Sequence, residues 1–233
     1  MDNHSGSEFD AYRKSYRDTV NEAISFSGID ADFFTKVKAA RLVSLLSEKI
    51  GDPKELSVLD VGCGVGTYHP LLRGRIGRIS GVDPSGECIE EARCSNPDVA
   101  YIHYDGNVLP FANGEFDASF AICVMHHVPP AQWSSFASEM ARITRPGGLV
   151  VVFEHNPYNP LTRRAVSTCP FDADAVLLTR KTTIQHFRDA GLENVDGRYI
   201  LTVPAIDGPA LVLDKMFGRL PFGAQFFVHG VPT

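Results

Sequence analysis

Residues 58–67 read Val-Leu-Asp-Val-Gly-Cys-Gly-Val-Gly-Thr, a short apolar run ending in three alternating glycines, Gly62, Gly64 and Gly66. An apolar run bounded by a glycine turn predicts a buried strand of a parallel sheet. The glycines let the backbone turn sharply and approach a ligand with no Cβ in the way. A helix starting near Gly66 points its unpaired N–H groups back into the turn. Two more apolar runs end in acids: Ile79–Asp83, and Val99–Tyr104 followed by Asp105. Three such strand tips form one ligand edge. A carboxylate at the second tip, Asp83, suits a ribose because it accepts from two hydroxyls at once.

Nicotinamide and methyl-donor cofactors both use an edge of this kind, and the glycine spacing separates them. The dinucleotide fingerprint G-x-G-x-x-G would need its last glycine at position 67, for close packing near a pyrophosphate. That position is Thr67, and the glycine falls one residue earlier. S-adenosylmethionine has no pyrophosphate and needs room for its methionyl group instead. The pattern favours the methyl donor.

Five segments extend this reading: Val58–Thr67, Gly81–Ser85, Asp105–Phe111, Phe116–His127 and Arg145–Glu154. In order and spacing, over about residues 56–155, the chain resembles the class I S-adenosylmethionine-dependent methyltransferases, in particular the group with small-molecule acceptors. The resemblance implies an α/β fold: a doubly wound, seven-stranded, mostly parallel sheet with its last strand antiparallel (the Rossmann-like methyltransferase fold) plus an N-terminal helical lid. One domain, 1–233, would comprise a lid over 1–50, a cofactor core over 56–155, and an acceptor-side region completing the sheet over 156–233. The implied reaction moves a methyl group from S-adenosylmethionine to O, N or C of a small molecule, leaving S-adenosylhomocysteine.

On the cofactor side, Asp60 would orient the turn or bind the methionyl ammonium, while Gly62, Cys63 and Gly64 offer backbone contacts. Asp83 would hold the ribose, with Pro84 or Ser85 flanking the adenine. Asp105 would accept the adenine amino group, and Gly106 and Asn107 would shape the pocket. The alternative for each is a cap or turn role, which aspartate, asparagine and glycine also favour. Tyr12, Tyr16 and Phe26 would close over the cofactor or pack as core, and Lys36 or Lys38 would meet its carboxylate.

The acceptor side centres on Cys123–Pro130, after the fourth strand. His126 or His127 is a candidate general base, and His155 another, with shape and backbone hydrogen bonding as the alternative. A metal site at 126 and 127 is not expected, because no matching carboxylate or cysteine spacing accompanies the pair. Phe217, Phe222, Phe226 and Phe227 are expected to cover the sheet edge rather than line an acceptor pocket.

Periodicity places helices at 9–25, 32–50, 66–73, 85–95, 131–144 and 179–191, and strands at 56–61, 78–83, 99–104, 116–122, 149–154, 195–203 and 224–231. Residues 204–223 read as a long connection without an element of their own. Net charge is −6, which argues against a broad nucleic-acid surface; Arg163, Arg164, Arg180 and Lys181 read as solvated. Five cysteines without a Cys-x-x-Cys pair favour free thiols in a reducing compartment. Met1–Ser7 is polar and unlike a secretory leader, and no apolar run approaches the roughly 18 residues of a membrane span. The expectation is a soluble, cytoplasmic protein; its oligomeric state is not written in the sequence. Two rivals share the cleft: a nicotinamide-dependent oxidoreductase, and a non-catalytic cofactor-binding protein.

Overall fold

The computed structural model describes residues 18, 19, 21–25 and 28–233, so Tyr12, Tyr16 and Phe26 lie outside the described residues. Seven strands form one sheet: β1 Ser57–Val61, β2 Arg78–Asp83, β3 Ala100–His103, β4 Phe116–Ile122, β5 Thr144–His155, β6 Glu193–Ile200 and β7 Gln225–Val231. Their order is β3-β2-β1-β4-β5-β7-β6. The first five are parallel, and β7 runs antiparallel to both β5 and β6. This is the seven-stranded architecture that the resemblance implied.

Two apolar layers explain why the strands read as unbroken hydrophobic runs. Val150 and Val152 of β5 and Phe226 and Val228 of β7 point to one face, where they meet Ala137 and Met140 of α4 (Trp133–Ile143). On the other face, Leu149, Val151, Phe153 and Phe227 pack against Leu42 and Leu46 of α1 (Ala31–Lys49). Asp30 caps α1 by accepting from the Phe33 N–H at 2.7 Å. The C-terminal part of the expected lid therefore buries its apolar stripe on the sheet, while Phe34, Thr35 and Lys38 nearer its start face the cleft.

Phe226 and Phe227 sit inside the sheet, whereas Phe217 and Phe222 are exposed and Phe222 lines the cleft instead of covering the sheet edge. Arg180 is not simply solvated: it donates to the Gly197 carbonyl at 2.7 Å and stacks on Tyr199. All five cysteines are free.

Several boundaries differ from the periodicity. The helix expected at 66–73 shrinks to α2 (His69–Leu72), because Gly66 is held at positive φ and Pro70 fits only a first turn. The helix expected at 85–95 is α3 (Gly86–Ser95), capped by Ser85. Two unexpected helices appear among the later residues. One is α5 (Pro160–Thr168), started by Asn159, whose side chain accepts from the N–H groups of Leu161 and Thr162. The helix expected at 179–191 is α6 (Arg180–Asp189), capped by Thr179. The other unexpected helix is α7 (Gly208–Phe217), within the supposed connection.

The polarity of α7 is inverted, which hides it from an amphipathicity reading. Val212, Leu213 and Met216 face outward while Asp214 is buried. The Asp214 carboxylate accepts from the N–H groups of Leu201, Thr202 and Val203, at 3.2, 2.7 and 3.1 Å. Those three donors are withdrawn from the sheet, so β6 stops at Ile200 and not at 203.

His229 of β7 is buried, and that burial, with Lys49 nearby, lowers its pKa to about 4. The unfolded chain takes up this proton near pH 6.5, the folded chain only near 4. Stability from this group is therefore complete above pH 6.5 and is lost as pH falls towards 4. Urea unfolding of His229→Gln should show a flatter stability profile across that window than the native protein; an unchanged slope would contradict the assignment.

Candidate functional site

The tips of β1, β4 and β5 open into a cleft of about 1330 Å³, bounded on one side by the glycine turn and on the other by α1 and α5. A single drug-sized ligand occupies ~300–1,000 Å³ of pocket, so the cleft has room for two molecules.

The glycine turn is built as its sequence requires. Gly62, Gly64 and Gly66 have φ of +74°, +52° and +73°, a region that side chains disfavour. A Cβ at Gly62 would sit 2.6 Å from the Val124 side chain, and one at Gly66 would sit 2.5 Å from the Tyr101 hydroxyl. The N–H groups of Gly62 and Cys63 both donate to the Val82 carbonyl, which hangs the turn on β2. Asp83 secures it further: one carboxylate oxygen accepts from the Gly64 N–H and the other from Ser85, each at 2.8 Å. Burial raises the Asp83 pKa, and those two N–H groups oppose the rise.

Behind the turn lies a buried polar chain that sequence reasoning missed. His69 Nε2 is 3.1 Å from Asp60 Oδ2, and its Nδ1 meets the Tyr101 hydroxyl. Burial pushes the Asp60 carboxyl upward while His69 pulls it down. Burial also raises the Cys63 thiol, which packs as a small side chain.

Asp60, Gly62, Cys63 and Gly64 line the cleft together with His126, His127 and His155. Asp83, Pro84, Asp105, Gly106 and Asn107 are not part of that lining. Asp83 stands beside it through its bond to Gly64, while the Pro84 carbonyl lies 3.1 Å from His103 Nε2. Asp105 and Asn107 form a side-chain-closed turn: Asp105 Oδ1 accepts from the Asn107 N–H at 2.9 Å, which lowers the Asp105 pKa.

On the acceptor side, Cys123 has φ of +57° and lies 3.5 Å from the Lys38 ammonium. Burial alone would raise this thiol, but Lys38 holds it below the ordinary range. Lys38 is raised in turn: burial is outweighed by Cys123 and by Tyr68, over whose ring it lies.

The turn Met125–His127 is pinned by buried Glu154, which accepts from the Met125 N–H at 2.8 Å and pairs with His126 Nδ1 at 2.6 Å. Burial alone would lower His126, yet Glu154 and Asp172 raise it to about 11. An imidazole whose charged form is favoured by two carboxylates is less available to accept a proton than a free one. His127 is lowered by burial and by the His126 charge. His155, at the end of β5, lies 3.5 Å from the Gln225 amide through its Nδ1.

The sequence spacing offered the histidine pair no carboxylate, but the fold brings one. Asp172, from the turn Pro170–Asp172 far along the chain, places Oδ1 3.5 Å from His126 Nε2 and 3.6 Å from His127 Nε2. Local spacing could not disclose this, because the partner arrives through tertiary structure.

Residues 58–148 match the family described as methyltransferase domain. An uncharacterised methyltransferase of Synechocystis sp. is 32% identical over 103 residues, covering 44% of this chain and 49% of that protein. A demethylmenaquinone methyltransferase of Beutenbergia cavernae is 37% identical over 105 residues, covering 44% of this chain and 43% of its own length. The chain thus spans under half the length of these curated relatives. A Thermotoga maritima structure, described as a possible histamine N-methyltransferase, superposes with a TM-score of 0.67 at 18% identity, covering 97% of this chain and 98% of the other. At that identity the likeness shows the fold. No helix among the described residues is long and apolar enough to cross a membrane.

Gly62→Ala combines positive-φ strain with the Val124 collision, and should cost about 1 kcal/mol of stability or more. Adding Val124→Ala should recover only the steric part, as read by thermal unfolding; a fully stable Gly62→Ala protein would refute the close approach. For Cys123, the rate of alkylation by iodoacetamide should rise with pH at a midpoint below that of an ordinary thiol. Lys38→Met should move that midpoint upward, and an unmoved midpoint would remove Lys38 as its cause.

Proposed function

We propose that the chain transfers the S-adenosylmethionine methyl group to a small-molecule acceptor, a reading supported by the match of residues 58–148 to the methyltransferase-domain family and by a fold shared with a possible histamine N-methyltransferase. The observation that carries this reading is the glycine-rich turn Gly62–Gly66 lining a cleft large enough for two molecules. At Gly64 a Cβ would meet no protein atom within 4 Å, so the backbone there is open to a ligand. Two relatives support a small acceptor by their names, a demethylmenaquinone methyltransferase and a 2-methyl-6-phytyl-1,4-hydroquinone methyltransferase.

The donor supplies a methyl group already activated on a sulfonium, with a neutral thioether as leaving group. The protein's task is alignment and exclusion of water, an effect worth roughly 7–11 kcal/mol when geometry is well held. Gly62–Gly64 offer backbone contacts to the methionyl end, and Asp60, braced by His69, faces its ammonium. Asp83 bonds the turn first and offers its remaining lone pairs to the ribose. Pro84, Asp105, Gly106 and Asn107 flank the adenine beyond the cleft's present lining. Where the acceptor carries a proton, His155 is the base, because it faces the cleft and is not locked in the Glu154 pair.

A nicotinamide cofactor fits less well, since Thr67 replaces the glycine that a pyrophosphate turn needs. Thermal-shift comparison separates the two. S-adenosylhomocysteine at about 100 times its Kd should stabilise the protein by ~2.7 kcal/mol. Stabilisation by NADH alone would overturn the proposal. With an acceptor in hand, His155→Ala should lower turnover by about 10²-fold or more while leaving S-adenosylhomocysteine affinity intact; full turnover would return His155 to a structural role.

A further inference from the structure

We propose that His126, His127 and Asp172 form a binding site for one divalent transition-metal ion on the acceptor side of the cleft. The inference stands on side-chain geometry and does not depend on methyl transfer.

One ligand atom from each of the three residues lies within 4.8 Å of the other two. The Asp172 Oδ1 separations from the two Nε2 atoms, 3.5 and 3.6 Å, are close to what coordination requires. Two donors each ~2.1 Å from one ion at a tetrahedral angle stand about 3.4 Å apart. A small contraction around an ion would complete the set.

The outer partners agree. Ligating histidines commonly donate their second ring nitrogen to a carboxylate, which fixes the ring and the nitrogen that faces the metal. Both histidines have this arrangement. His126 Nδ1 is held by Glu154 at 2.6 Å, and His127 Nδ1 lies 3.4 Å from Asp174. Both Nε2 atoms therefore converge on Asp172.

A further observation points to a missing partner. His126 is 1% exposed, and its Nε2 is a buried polar atom without a hydrogen-bond partner at normal distance. An orphaned buried nitrogen is costly unless something fills its lone-pair or donor direction. Three carboxylates, Glu154, Asp172 and Asp174, surround the two imidazoles, so an added cation meets a negative setting.

All three ligands line the cleft, which leaves further coordination positions facing the acceptor space. Two imidazoles and one carboxylate suit zinc, iron or cobalt better than magnesium, which prefers an all-oxygen shell.

The test uses the full chain, stripped with EDTA and desalted, titrated with Co²⁺ and with Zn²⁺ while heat and visible absorption are recorded. One Co²⁺ per chain should bind with micromolar or tighter affinity, Zn²⁺ should displace it, and excess Mg²⁺ should not. Asp172→Asn and His127→Ala, both in partly exposed turns, should each weaken Co²⁺ binding by at least about tenfold. Glu154→Gln should weaken it about 10–100-fold through the His126 ring. Circular dichroism checks that each variant is folded; should Glu154→Gln fail to fold, the other two decide. Absence of stoichiometric uptake, or uptake that survives both Asp172→Asn and His127→Ala, would overturn the site and leave a histidine–carboxylate ion-pair cluster.

Discussion

The cleft depends on how the glycine turn is fastened to the second strand. Val82 accepts from two consecutive N–H groups of the turn, and the Asp83 carboxylate takes a third before reaching round to Ser85. These bonds hold the backbone at positive φ, which glycine adopts without strain and where a Cβ at Gly62 or Gly66 would collide. They also fix the start of α3, because Ser85 caps it. The phosphate-free cradle, the second strand tip and the next helix are thus one mechanical unit. Asp83 serves it first as a brace, and any ligand contact is additional.

The histidines show how environment sorts chemically identical groups. His126 sits against Glu154 in the buried layer beneath β5, His127 is half turned towards solvent, and His155 looks into the cleft. A sequence presents three equivalent imidazoles. Against burial, which lowers it, the adjacent Glu154 and Asp172 raise His126, while burial and the charge of His126 lower His127.

What could be read from the chain follows the range over which each feature is encoded. The strands β1 to β4 and the glycine turn are local patterns that appear within one residue of their expected limits, while β5 begins five residues before Leu149. The family likeness covers the same stretch. Asp172 was invisible because its relation to His126 is tertiary, across more than forty residues of chain. The His69–Asp60–Tyr101 chain was missed for the same reason. The failure at α7 differs. Its apolar residues face outward and its one buried side chain is an acid, so the usual period points to the wrong face. A charge that feeds three backbone donors outweighed amphipathicity there.

The position of β7 has a consequence for assembly. Although it follows β6 in the chain, it lies between β5 and β6 and supplies the hydrogen bonds for both. While a ribosome is still short of Val231, β5 has an open edge and β6 has no docking partner. The first five strands can pair as they emerge, but β7 must be made before either β5 or β6 gains its final neighbour. A nascent chain therefore passes through an interval with its most apolar strand bare along one side, and the last step to close that edge is non-local and slow.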